Sequence, residues 1–335
     1  MTSAADRWAD PQADSPPSST VSLAALRAAA EGLQGVAVKT PLLRIPDLDA
    51  QCGVPVFLKG EHLQPVGAFK VRGAYTAASR IPAELRARGL ITYSSGNHGQ
   101  AVAWAARRLN TRAVVVMPER APAVKVEGVR RLGGDVIIAG NSSAERYTKA
   151  QQMVEEQGFI MVPPFESLEV IAGQGTCGLE IIEQCPEVQT ILVPVGGGGL
   201  IAGIASATAA LKPEVQVIGV EPVGAPKLAR ALEAGRPVKL DHTESLADGL
   251  LPLSIGTIPF GILSGIVRQS VLVEEAEIEE GLRFLYRRGQ LSVEPSGAVT
   301  TAAILAGRVR LSGPTVAVIS GGNVDPAVFQ RLVQS

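Results

Sequence analysis

VPVGGGGLIAGIA, residues 193–205, joins an apolar strand-like run to an apolar helix-like run through four consecutive glycines, Gly196, Gly197, Gly198 and Gly199. Glycine lets the backbone approach a ligand closely and present successive N–H groups, at an entropic cost that a plain turn does not require. The N-terminus of the following helix adds the positive end of its dipole, so the segment suits a phosphate. A tight strand-to-helix turn is the plain alternative. A dinucleotide fingerprint is the sharper one: Gly197, Gly199 and Ala202 fit G-x-G-x-x-G/A, and Glu221 ends the next strand-like run at about ribose-binding distance. Alone, the segment leaves these readings open.

Outward from it, apolar runs alternate with amphipathic stretches. Strands are predicted over 56–59, 90–94, 113–117, 135–139, 190–195, 215–220, 270–274 and 315–320. Helices are predicted from about Val21 through SLAALRAAAEGL, and over 98–109, 124–132, 143–157, 199–211 and 277–289. Strands buried on both faces read as continuous apolar runs, and their alternation with helices implies parallel pairing. The fold class is therefore α/β with open, mainly parallel sheets flanked by helices. Ligands of such sheets gather at the carboxyl ends of strands.

Three further stretches carry chemistry at such places. SSGNHGQAVAWAA (94–106) crowds Ser94, Ser95, Asn97 and His98 at a helix start, which suits a carboxylate; a simple N-cap is the bland alternative. QPVGAFKVRGAYTAA (64–78) sets Lys70 among Phe69, Val71 and Ala74. Apolar surroundings lower an amine's pKa towards the nucleophilic free base, although a lone lysine more commonly snorkels to solvent. VISGGN (318–323) ends the last strand on Ser320, a hydroxyl able to bond a cofactor ring or merely to close a turn.

The bulk composition excludes other classes. The chain has 335 residues, 46% of them hydrophobic, enough for two domains or one large α/β body. Its 31 Lys+Arg against 32 Asp+Glu and its 4% aromatics give no support to a nucleic-acid or anionic-membrane partner. Three scattered cysteines, Cys52, Cys177 and Cys185, form neither a disulfide framework nor a zinc pattern and suit a reducing, cytoplasmic setting. No apolar run approaches the roughly 20 residues of a membrane span. The first twenty residues lack a signal-peptide core and are expected to be a disordered Ser/Pro/Asp-rich lead-in.

The four segments, in this order, resemble the fold-type II pyridoxal-phosphate enzymes, specifically the serine/threonine dehydratase and serine racemase group. KTPLLR (39–44), VIAGQGTCGLEI (170–181), LADGL (246–250) and VEPSGA (293–298) share the likeness, which runs from about Thr40 to Asn323. It implies a tryptophan synthase β-like pair of twisted sheets. Residues 21–89 and 167–335 would form a large cofactor-binding domain, and 90–166 a small one carrying the substrate-carboxylate loop. The resemblance also implies roles. Lys70 would carry pyridoxal 5'-phosphate on its ε-amine and act as the base at Cα. Gly196 to Gly199 would hold the phosphate, Asn97 the ring hydroxyl and Ser320 the pyridine nitrogen, with Phe69 packing near the ring. Ser94, Ser95, Asn97 and His98 would line the substrate carboxylate site, and Ser95 matches a racemase's opposite-face acid/base.

The implied activity is elimination of the β-hydroxyl from a small hydroxy amino acid such as L-threonine or L-serine, giving a 2-oxo acid and ammonia. An amino-acid racemase on the same scaffold is the alternative. A nicotinamide oxidoreductase leaves Lys70 and 94–100 unexplained. A homodimer is implied. Three departures limit the likeness. Ala68 stands where relatives usually carry Ser. Lys227 stands where metal-activated relatives carry an acid, which argues against a divalent site although Glu221 remains. The chain ends soon after SGGN, which argues against a feedback-regulated biosynthetic enzyme.

Overall fold

In the computed structural model, which describes residues 20–94, 96–121 and 123–334, every apolar run singled out above forms a strand. Residues 1–19 of the expected lead-in, and Ser95, lie outside the described residues. Six strands make one sheet in the order β1 (Leu42–Arg44), β2 (Val56–Gly60), β10 (Thr315–Ile319), β7 (Thr190–Pro194), β8 (Gln216–Pro222) and β9 (Gln269–Val273). All pairs are parallel except the edge pair β1–β2. A second, wholly parallel sheet runs β5 (Asp135–Ile138), β4 (Ala113–Met117), β3 (Leu90–Tyr93) and β6 (Ile160–Met161).

The continuous apolar runs follow from burial on both faces. Along β7 and β10, Ile191, Val193, Val316 and Val318 pack into one core. Their neighbours Leu192, Ala317 and Ile319 pack into another on the opposite face. In the smaller sheet Val115 and Met117 face one core and Val114 and Val116 the other.

Three helices tie the sheets together. The Leu168–Gln184 helix packs against both the Lys70–Arg80 helix and the Gly199–Leu211 helix. It crosses them at glycine: a Cβ on Gly203 would lie 2.4 Å from the Gly175 nitrogen, and one on Gly173 would lie 2.7 Å from Gly73 Cα. The Lys70–Arg80 helix also shares a core with the Asn97–Arg108 helix through Val71, Ala74, Ala77, Ala101 and Val102. Beneath it Arg72, 1% exposed, bonds Glu61 and Glu180, and Lys59 reaches Glu180 and the Thr40 carbonyl. No helix among the described residues is long and apolar enough to cross a membrane.

Candidate functional site

The carboxyl ends of β3, β7 and β10 face a cavity of about 990 Å³ lined by residues of both sheet systems. Lys70, Asn97, Ser320 and the four glycines share its wall. Main-chain bonds bring the segments together: Phe69 N donates to Ser320 O at 3.1 Å, Gly322 N to Gly67 O at 2.8 Å, and Ala68 bridges Gly321. The alanine noted above is thus a fully buried link in this lacing.

Lys70 opens its helix and is partly buried. Its Nζ donates to the Pro164 carbonyl at 2.7 Å and lies 5.1 Å from the Phe69 ring centroid, and no carboxylate pairs with it among the described residues. Desolvation draws its pKa down from 10.5 to about 8. A usable fraction of the amine is therefore free base near neutrality.

Gly196 to Gly199 turn from β7 into the Gly199–Leu211 helix, and Gly198 takes φ +97°, which suits glycine. Their N–H groups donate to no acceptor among the described residues. The turn is closed from outside: a Cβ on Gly197 would meet the Phe165 ring at 2.2 Å, and Gly256 N donates to Gly197 O at 3.0 Å. A row of unused N–H groups at a helix N-terminus is a cradle for an anion such as phosphate.

His98 is buried and its Nε2 lies 3.0 Å from the Val162 carbonyl. A carbonyl only accepts, so Nε2 carries the proton. Burial first, then the Lys70 charge, draws the imidazole pKa down to about 3, against the Val162 bond. The ring is neutral and its Nδ1 is an acceptor with no partner among the described residues, so the ring has no second N–H for a carboxylate. The backbone N–H groups that open the Asn97–Arg108 helix remain as donors, beside the Ser94 hydroxyl. Ser320 Oγ donates to Ser296 O at 3.2 Å.

Several wall residues carry no role in the sequence reading. Lys125, from the Ala123–Arg131 helix, pairs with Asp248 across the cavity mouth. Glu166 accepts from Thr257 N and Ile258 N. Glu294 accepts from Asn97. LADGL and VEPSGA contain two of these acids, but a carboxylate beside a turn or a proline looks like a cap, so only the likeness marked them.

The question of a divalent site turns on Glu221. Its Oε1 accepts from Lys227 Nζ at 3.3 Å and from Leu228 N, and its Oε2 from Ala229 N and Ser270 Oγ. Lys227 Nζ also donates to Ala225 O at 2.8 Å. The ammonium fills the space among these oxygens. Elsewhere, an open basin of about 700 Å³ lined by Arg107, Arg112, Arg130 and Arg131 sits where basic side chains answer two helix C-termini.

A family profile described as pyridoxal-phosphate dependent enzyme matches residues 33–321. L-threonine ammonia-lyase of Geobacter sulfurreducens is 43% identical over 297 residues, covering 88% of this chain and 74% of that protein. Serine racemase of Oryza sativa subsp. indica is 38% identical over 297 residues, covering 87% of each. The solved structure of maize serine racemase superposes with a TM-score of 0.90 at 34% identity, covering 93% of this chain and 96% of that one.

Proposed function

Since the chain belongs to the pyridoxal-phosphate dependent enzyme family, we propose that it is an ammonia-lyase converting a small β-hydroxy amino acid, L-threonine or L-serine foremost, to a 2-oxo acid and ammonia. Pyridoxal 5'-phosphate is the cofactor. The observation that carries the proposal is one cavity wall holding both a desolvated lysine amine and a glycine turn with unused N–H groups.

Those groups fit the cofactor. Gly196 to Gly199 would hold its phosphate, Asn97 its ring oxygen, Ser320 its ring nitrogen, and Phe69 would flank the ring. When bound, the cofactor supplies an aldehyde that joins to amines and a conjugated ring that takes up the electron pair left at Cα. Lys70, free of a paired carboxylate among the described residues, holds its amine ready first as nucleophile and then as the base that takes the Cα proton. Ser94, Ser95 and the backbone N–H groups opening the Asn97–Arg108 helix orient the substrate carboxylate, while His98 packs as a neutral ring beneath them. The Ser320 hydroxyl, which donates to Ser296 O, would turn its one proton to the ring nitrogen when the cofactor binds; unlike a carboxylate, a donating hydroxyl leaves that nitrogen unprotonated. That limits negative charge at Cα and favours prompt loss of the β-hydroxyl. Phe165 and the 249–256 segment pack against the glycines of the turn.

A second reading is racemisation, favoured by the likeness to serine racemases. It needs a proton donor on the face of Cα opposite Lys70, the role we assign to Ser95. The experiment is a panel of β-hydroxy amino acids assayed for oxo-acid release and for recovery of the D-isomer. Release of 2-oxo acid from L-threonine or L-serine, with loss of both activity and the borohydride-sensitive visible band in Lys70→Ala, is the expected result. Near-wild-type turnover in that variant, or D-isomer as the sole product, removes the lyase assignment. We further assign 21–89 with 167–335 to a large cofactor-binding unit and 90–166 to a small unit carrying the substrate-carboxylate loop. The protein would act as a homodimer in a compartment that keeps its three free cysteines reduced.

A further inference from the structure

Glu294 lies on the cavity wall, 2% exposed, with no part in the roles above. It precedes the Pro295–Leu305 helix, where an acid ordinarily caps, yet its side chain makes no capping bond. Oε1 accepts instead from Asn97 Nδ2 at 2.6 Å, and Oε2 makes no hydrogen bond among the described residues. The other end of Asn97 is also committed. Asn323 Nδ2 donates to Asn97 Oδ1 at 2.9 Å, and to Val66 O at 2.7 Å.

A primary amide has one oxygen and two N–H donors. With its oxygen held by Asn323 and one N–H held by Glu294, Asn97 keeps a single N–H for whatever occupies the cavity. The pair also fixes which end of the amide is nitrogen. Charged groups face Glu294 from two elements. Asp248 approaches from the Asp248–Leu250 turn, and Lys125, paired to it, from the Ala123–Arg131 helix. Burial and then Asp248 raise the Glu294 pKa from 4.5 to about 7, against Lys125, the Asn97 bond and the Asn323 backbone.

We propose that Glu294 is a positioning residue which, with Asn323, locks the Asn97 amide so that one N–H meets the cofactor ring oxygen, and whose change of charge is felt by that oxygen. The proposal rests on the assignment of Asn97 to the ring. A carboxylate one amide away repels negative charge on the ring oxygen, and the neutral acid does not. In this desolvated wall the difference is weakly screened.

The test is the visible spectrum of the holoenzyme from about pH 5.5 to 9, read beside the pH profile of kcat/KM. Wild type is expected to show a band change centred near pH 7, with a matching inflection in kcat/KM. Glu294→Gln, which can still accept from Asn97, is expected to keep the cofactor and lose both features. An unchanged spectral titration in Glu294→Gln overturns the proposal. Should that variant lose the cofactor, Glu294→Asp decides: a midpoint displaced from wild type supports the proposal, and an identical one overturns it. A wild-type protein without any borohydride-sensitive band instead overturns the cofactor-site reading beneath it.

Discussion

Lys70 and Glu294 sit on one cavity wall and are both shifted by burial, in opposite senses, because desolvation penalises whichever form is charged. For Lys70, uptake of pyridoxal phosphate by the cofactor-free protein needs the free base. Its rate at limiting cofactor should rise with pH to a midpoint near 8, followed by the growth of the visible band; a rate independent of pH between 6 and 9 contradicts the desolvated amine. Lys70→Arg keeps a cation that cannot be deprotonated, and turnover should fall by at least about 10³-fold. For Glu294 the folded-state pKa is raised, so the unfolded chain gives up its proton first and stability falls as pH climbs from 4.5 to about 7. Glu294→Gln has no such loss. Denaturant melts of the cofactor-free protein at pH 5 and 8 should show the variant gaining on wild type by roughly 3 kcal/mol across that window. Lys70 is legible in the sequence because AFKVRGA carries it within a recognisable set. Glu294 is not, since Glu-Pro at a helix start reads as a cap and only the fold turns its side chain to Asn97.

At the scale of elements, strands were legible where they reach four residues or more and elusive where they are shorter. β1 spans three residues at a sheet edge, half in solvent, and β6 has two, so neither develops a periodic signal. The Leu168–Gln184 helix was missed for a different reason. Gly173, Gly175 and Gly178 lower its helix propensity, yet tertiary packing demands them, because neighbouring backbones approach to within Cβ-clash distance. This helix fixes the spacing between the Lys70 helix and the glycine-turn helix. Gly203→Ala should therefore both destabilise, by about 1–3 kcal/mol, and weaken cofactor affinity, measurable by melts and by fluorescence titration. Gly197→Ala should weaken affinity at least about tenfold, since its Cβ would collide with Phe165 at 2.2 Å. Adding Phe165→Ala to that variant should restore part of the loss. Affinity equal to wild type in Gly197→Ala would show that the turn is not the phosphate cradle.

Over the whole molecule, Arg72 pairs with Glu180, 108 residues further along the chain, and a second buried pair joins near neighbours. Lys227 and Glu221 are both fully buried, and removing only the cation strands the carboxylate. Lys227→Met should cost about 3–5 kcal/mol in urea melts. Treating the wild type with a chelator should leave turnover unchanged, because the ammonium already occupies that position; a dependence on added divalent cation contradicts this. Neither pairing was visible in the sequence beyond the presence of a lysine where an acid was expected.

β10 is not an edge strand: it lies between β2 and β7, and the residues after it lace to Gly67 and Phe69. A nascent chain emerging from the ribosome therefore lacks the middle of its larger sheet until translation has passed residue 322. Lys70 is made early, but it must wait until that point before a vitamin-derived guest could find its seat.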